Sequence, residues 1–377
     1  MRTNVAAYDT VILGAGVFET RGAWNGACSP NDGFLLKEGL TIIGTGSGGG
    51  GTEIRLVDAP LSSCSTSTTG FNYVLASAPG HCGDPDVDNV TLQHFTVNCN
   101  AVQVMSNIGT SYLTVGGIRL LGDGTYINNV EVINAASERT AAGCATDEVW
   151  GILVGCRTKS AHVEVSSSTF SDFYNPTTYG HTTAIHVSGT ATYHPTAFIL
   201  GNSVYLNGKE GEFAFGVAAH GETYIYWNQV WGADRAVNHD TGTAGGTLSV
   251  GFNQFHLSDS QPAAGVFLSA NSFGEIEGNE INLYVASSAG LHWHGNLASD
   301  WNVVGNTIRS FIGGTNQPYG VLVQNVSGVP SNLNFESNRI SEGLTNIVNV
   351  SGSYTFDDNK KIDSTGTITG TAIGFPN

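Results

Sequence analysis

The chain has 377 residues, 14 Lys+Arg against 31 Asp+Glu and a formal net charge of −17, so it lacks the basic face that nucleic-acid binding requires. Charged residues make up 12%, about half the share of an ordinary soluble domain, and a chain this poor in Lys, Glu and Arg has little stock for surface helices. No apolar run reaches the roughly eighteen residues of a membrane-spanning helix.

In chain order, the N-terminal MRTNVAAYDT has no apolar core segment of a signal peptide. Residues 1–60 read as strands, with Thr10-Val-Ile-Leu-Gly-Ala-Gly-Val-Phe and Leu40-Thr-Ile-Ile-Gly-Thr-Gly as two short apolar runs broken by glycine. Gly44-Thr-Gly46-Ser-Gly-Gly49 matches a dinucleotide-binding G-x-G-x-x-G. The Thr52-Glu-Ile-Arg-Leu that follows is a strand pattern, whereas phosphate binding needs a helix N-terminus there, so the match is dismissed. Three polar insertions, 57–88, 136–147 and 172–181, are expected as loops on a rigid scaffold, where function concentrates. Cys28, Cys64, Cys82, Cys99, Cys144 and Cys156 all lie in the first 156 residues. An even, clustered count predicts disulfides in that half, Cys64–Cys82 being the simplest pairing, and with them a secreted or periplasmic location. The competing reading is buried free thiols. No Pro/Ser-rich linker divides the chain, so a single domain over 1–377 is expected, with residues 353–377 as its terminal cap.

The second half repeats. Asn202, Asn228, Asn253, Asn279, Asn306, Asn338 and Asn359 each follow a turn-like residue and mostly precede an apolar one two places on; their spacings are 26, 25, 26, 27, 32 and 21 residues. A second series of apolar positions interleaves with them: Val217, Val237, Val266, Leu291, Val321 and Ile347, four of them directly after glycine, preceded in register by Ile152 and Ile185. A period of 20–50 residues signals a solenoid. Each unit holds two or three short alternating strands with no helical period, which describes the coil of a β-helix. Asparagine suits the turn because it tolerates the left-handed conformation and can hydrogen-bond from coil to coil.

This xxGNxI turn followed by GVxV resembles the right-handed parallel β-helix of the pectin-lyase-like superfamily. The resemblance implies an all-β solenoid of roughly 10–12 coils, with the Asn turn between the second and third sheets. It also implies that the GVxV strand belongs to the first sheet, which carries most active sites in that superfamily. It selects no single family, and fold does not fix function.

On a strand, alternate residues share a face. If the aligned Val, Ile or Leu points inward, the first outward row holds Arg119, Leu153, His186, Ala218, Asn238, Phe267, His292 and Leu322. The second holds Leu121, Gly155, Ser188, His220, Asp240, Ser269, His294 and Gln324. The polar residues gather on neighbouring coils, and a one-residue slip would undo the pattern. His220 and Asp240 are expected one coil apart, near ~4.8 Å, where a carboxylate can orient and charge an imidazole. With Glu212 as the second carboxylate that a glycosidase needs, Asp240 and His220 form the candidate catalytic set; Glu210, Asp234, Asp172 and Asp147-Glu148 are alternatives for that second carboxylate. His186, Asn238, His292, His294, Arg235, Tyr179 and Trp231 are the candidate substrate contacts, and Trp150, Trp227, Trp293 and Trp301 are further candidate stacking platforms. Trp293 and His239 fall in the inward register, where a core role competes. His292-Trp-His294 faces two imidazoles one way, but Asp240 lies two coils off, roughly 9–10 Å, beyond a shared ~2 Å metal contact. No metal and no cofactor is therefore expected.

The favoured function is a carbohydrate-active enzyme acting on a polysaccharide or oligosaccharide, with a glycoside hydrolase ahead of a lyase or epimerase of uronic-acid polymers. The uronate lyases that the resemblance brings to mind carry Lys, Arg or calcium in the groove, and here Arg119 and Arg235 are the available cations. The polygalacturonase-like set of NTD, DD, GHG and RIK is absent from the sequence. A non-catalytic glycan-binding or structural β-helix is the reading from another class. Neither a nucleic-acid nor a membrane partner is expected, and the oligomeric state is open.

Overall fold

The computed structural model describes residues 5–24, 34–57, 71–77, 86–108, 114–137, 148–156, 158–173, 181–190, 192–218, 220–239, 246–268, 272–294, 300–312, 318–324, 333–341, 344–348, 354–363 and 367–371. The chain falls into two compact units, Met1–Ala197 and Phe198–Asn377. Each is a run of coils whose strands pair in parallel with those of the next coil, and the fold is the right-handed parallel β-helix.

In the first unit, Ile54, Val97, Val132 and Phe170 stand in register on successive coils, and all four are fully buried. Alternation does this: Thr52–Leu56 reads TEIRL, with its odd positions inward and Glu53 and Arg55 half-exposed. The second unit repeats the device. Val204, Val230, Phe255, Ile281, Ile308 and Ile340 form one inward column, and Val237, Val266, Leu291 and Val321 form another. A fully buried side chain of this size contributes about 1.5–3 kcal/mol. One helix, Ala101–Ile108, occurs among the described residues; the sequence reading, which found no helical period, missed it. At the C-terminal end Ile368–Thr371 pairs antiparallel with Lys360–Ile362, so the parallel stacking is not continued there.

The asparagine turn is the best-resolved consequence of the repeat. Asn202 donates from its backbone N (2.8 Å) and Nδ2 (3.0 Å) to Oδ1 of Asn228. The same double donation runs from Asn228 to Asn253, to Asn279, to Asn306, to Asn338 and to Asn359. Each Nδ2 from Asn228 onward also reaches a backbone carbonyl of a neighbouring coil, as Asn279 does to Val250 O at 2.8 Å. All seven side chains are buried, and none of their buried amide oxygens or nitrogens is left unbonded, as burial demands. The expectation of consecutive asparagines on adjacent coils holds throughout the second unit.

One detail differs from expectation. The left-handed residue is the one before each asparagine: Gly201 (φ 62°), Trp227 (59°), Phe252 (55°), Gly278 (60°), Gly305 (67°), Ser337 (56°) and Asp358 (46°). The preceding residue makes the bend, and the asparagine turns its side chain inward to bond. For a residue with a Cβ that bend costs roughly 1–2 kcal/mol. In the first unit the same turn is made by His94, Asn129 and Ser167, with φ of 60°, 50° and 51°. Phe95, Val130 and Ser168 follow them in register; Val130 N donates to Ser168 Oγ at 3.2 Å, and Asn129 Nδ2 lies 2.8 Å from His94 Nδ1.

Asn279→Ala removes the acceptor for two donors of Asn253 and a donor to Asn306 Oδ1. At about 1 kcal/mol or more per orphaned buried group, it is expected to destabilise the second unit by about 3 kcal/mol. Asn302→Ala, which loses two part-buried bonds, one given to Glu275 and one accepted from Asn334, is expected to cost about 1 kcal/mol; denaturant titration of both variants measures the difference.

Candidate functional site

The inward column Val237, Val266, Leu291 and Val321 fixes what faces out. Asn238, Phe267, His292 and Leu322 stand level on successive coils, and His294 stands level with Gln324. Glycine precedes three of the inward residues for a steric reason. A Cβ on Gly265 would meet Gly290 O at 2.5 Å and Ile281 Cγ2 at 2.8 Å, and one on Gly290 would meet Gly320 O at 2.7 Å. The strand Arg235–His239 carries alanine at this place.

Around these rows the second unit assembles a compact group. The Arg235 guanidinium lies over the Phe267 ring, with Cζ 3.7 Å from its centroid and 5.2 Å from that of Phe213. Its Nη1 donates to Asn238 Oδ1 at 2.7 Å. Phe267 meets His292 edge-on at 4.9 Å, and the His292 and His294 rings are 5.9 Å apart. Burial, then His294, then Arg235 pull the His292 pKa down to about 4. That imidazole is therefore neutral at neutral pH, and its Nε2 is buried with no hydrogen-bond partner. An orphaned buried nitrogen costs free energy that function can explain. A cation on two aromatic rings, an amide and a neutral imidazole can together hold an anionic oxygen and accept a proton.

Beside this group the segment 207–212 folds onto its own carboxylate. Glu212 is fully buried, and it accepts from Asn207 N at 2.7 Å and Lys209 N at 3.2 Å. Burial raises its pKa despite those bonds. Asp234 accepts from Gly211 N at 3.0 Å, and burial raises its pKa as well. Glu212 thus ties down a loop in a place no polymer substrate reaches, which corrects its expected catalytic part.

The His220–Asp240 pairing also changes. Phe215 stands level with Val237, Gly216 with Asn238, and Val217 with His239. The Gly216-Val217 pair imitates the Gly-Val pattern of later coils, but Ala214 takes the small-residue place and Phe215 the inward one. Two inward-capable residues in Phe215 and Val217 made a two-residue slip invisible in the sequence. His220 falls beyond the end of the strand Glu212–Ala218, out of the rows. Asp240 and Ser269 lie outside the described residues, as do Tyr179, Asp147 and Cys28, Cys64, Cys82 and Cys144.

Trp231 belongs to a different sheet, stacked between Tyr205 at 4.6 Å and His256 at 5.8 Å, so its ring faces are occupied. Trp293 and Trp301 are core, fully buried and edge-to-face at 6.1 Å, which removes both as sugar platforms. His239 is inward and buried as the alternation predicts. In the first unit Arg119, Leu153 and His186 stand level. Arg119 is buried there, His186 packs against Trp150 at 5.2 Å, and burial lowers the His186 pKa to about 4. Cys99 and Cys156 are buried free thiols, raised in pKa by burial, Cys156 to about 11. For these two the thiol reading replaces the disulfide. Gly48–Gly51 line an open groove of about 630 Å³ with Glu53 and Glu131, and a strand follows the loop. Among the described residues no three His, Cys, Asp or Glu converge as metal ligands, and no helix is long and apolar enough to cross a membrane. The sequence reading missed the seat made by Phe267 and Phe213; its one legible sign was a phenylalanine in an outward row.

Solved structures resemble this arrangement of coils. PfbA, a surface adhesin of Streptococcus pneumoniae, superposes with a TM-score of 0.51 at 13% identity over 97% of this chain and 88% of its own. At that identity the likeness bears on the fold alone, the right-handed parallel β-helix. The A-module of the mannuronan C-5 epimerase AlgE6 of Azotobacter vinelandii scores 0.42 at 15% identity, covering 94% and 90% of the two chains. A C387A mutant of DFA-IIIase from Arthrobacter chlorophenolicus A6 scores 0.47 at 13% identity, covering 94% and 74%. No protein-family model and no curated protein matches the sequence.

Glu212→Ala leaves the Asn207 and Lys209 amides without their acceptor. It is expected to destabilise the second unit by about 2 kcal/mol, read as a lower melting temperature, while Glu210→Ala, at an exposed neighbour, stays within about 0.5 kcal/mol.

Proposed function

We propose that the protein is a carbohydrate-active enzyme that acts on a uronic-acid-containing glycan by abstracting the proton next to the carboxylate, as a lyase or an epimerase does. The observation that carries this is Arg235, held over Phe267 and bonded to Asn238, beside a His292 kept neutral by burial. Arg235 and Asn238 would take the uronate carboxylate, whose oxygens gain charge as the C5 proton leaves; a preorganised guanidinium stabilises that charge. Neutral His292 would accept the proton. In elimination the C5–H pair becomes the C4=C5 double bond, the C4–O bond breaks, and His294 supplies the proton to the departing oxygen. In epimerisation a proton returns to C5 from the opposite face instead. A bound carboxylate also raises the pKa of a nearby imidazole, which brings His292 closer to the basicity that the step needs.

Hydrolysis, the favoured expectation from sequence, loses Glu212 as its second carboxylate. Asp234 keeps it as the second reading, because burial raises that pKa and so favours the protonated form that a general acid requires.

Incubation with uronate polymers and neutral polysaccharides separates the cases. Elimination gives ultraviolet-absorbing unsaturated ends, epimerisation gives deuterium at C5 in heavy water without chain cleavage, and reducing ends without either signal would favour the hydrolase and overturn the proposal. Arg235→Ala and His292→Gln are each expected to lower turnover about a hundredfold or more, with melting temperature little changed for the first. With the His292 pKa at about 4 in the free protein, kcat/KM should not fall through this group between pH 7 and pH 5. Protonation removes the base only as pH approaches that value, and the pH–rate profile of the wild type checks this.

A further inference from the structure

The turn that precedes the asparagine column calls for a residue at home in the left-handed region. Gly201, Gly278 and Gly305 meet that demand, but two consecutive coils put Trp227 and Phe252 there, at φ 59° and 55°. Bulky residues rarely adopt this conformation. Nor does burial compensate, since Trp227 is 61% exposed and Phe252 49%. A strained backbone that leaves about half or more of each ring in solvent points to a use for the side chains.

The surroundings are built to display them. The Tyr226 ring lies across Gly251, where a Cβ would collide with it, and Phe252 lies against Gly278, where a Cβ would come within 2.7 Å of Cδ1 and Cε1. Tyr226 packs 5.5 Å from Trp227 and 6.2 Å from Phe252, and its hydroxyl bonds Glu277 Oε1 at 3.1 Å. Three aromatic rings thus stand beside a carboxylate and a phenol, in a chain of net charge −17.

We infer that Tyr226, Trp227 and Phe252, with Glu277, form a binding platform for a neutral glycan, separate from the groove at Arg235. Apolar C–H faces of sugar rings pack on exposed aromatic faces, and sugar hydroxyls donate to a carboxylate. The local negative charge selects against polyuronates and against anionic lipid surfaces. Exposed apolar patches with polar rims are interaction sites, and a hydroxyl-rich ligand matches both halves of this one. The inference stands on the turn alone and holds whether or not the groove cleaves a glycan.

The test is native electrophoresis through gels containing hydroxyethyl cellulose, xyloglucan, soluble β-1,3-glucan or polygalacturonate, paired with thermal melting. Wild type and Arg235→Ala should both be retarded by at least one neutral polymer, and Arg235→Ala, whose groove has lost its carboxylate clamp, should not be retarded by polygalacturonate, which separates this platform from the groove. Trp227→Gly and Phe252→Gly should weaken that retardation at least tenfold with melting temperatures close to wild type, because glycine suits the left-handed turn. The inference is overturned if no neutral polymer retards the wild type, if polygalacturonate retards Arg235→Ala as strongly as the neutral polymer does, or if the glycine variants bind as before. It is overturned equally if they melt well below the wild type, which would make the rings structural, or if the patch retains only a second protein.

Discussion

The hydrogen-bonded column of asparagines governs the second unit. Seven buried amides, each but the last donating twice to the next, turn a run of otherwise weak strand pairings into a register that resists slipping. Sliding one coil by a residue would orphan three buried polar groups at that coil, a cost of several kcal/mol, besides turning the inward Val204–Ile340 column outward. The column therefore sets where each coil begins, and through it which residues of the Val237–Val321 strands face out.

The first unit shows what happens without it. His94, Asn129 and Ser167 make the same left-handed bend, but Phe95 and Val130 follow them and bury apolar surface where the second unit buries amides. Apolar packing tolerates variation in coil length better than a directed hydrogen-bond chain does. The insertion expected at 57–88 needs correcting in part, because Phe71–Ala76 within it is a strand of the stack, paired in parallel with Thr114–Leu121 and buried from Tyr73 to Ala76.

The two aromatic arrangements of the second unit spend their rings differently. Tyr205, Trp231 and His256 stack on one another, so their faces are consumed in holding coils together. Trp227 and Phe252 face solvent from strained turns. At Arg235 a third use appears: Phe267 and Phe213 hold a cation in place and desolvate the neighbouring imidazole. The residue type is the same in each case, and its position relative to the coil decides what it does.

Sequence alone determined the solenoid, because spacing and alternation are local properties that every coil restates: Asn202 to Asn359 and the inward Val237, Val266, Leu291 and Val321 were all legible. It also placed Asn238, His292 and His294 on the outward rows. It could not choose between Phe215 and Val217 as the inward residue, since both are apolar and two apart, and only pairing with the next coil broke that tie and took His220 out of the rows. Nor could it see that Glu212 turns inward onto the amides of Asn207 and Lys209, or that Arg235 folds back over Phe267. Those are contacts between residues whose distance in space follows from how the coil closes, and no periodicity encodes it.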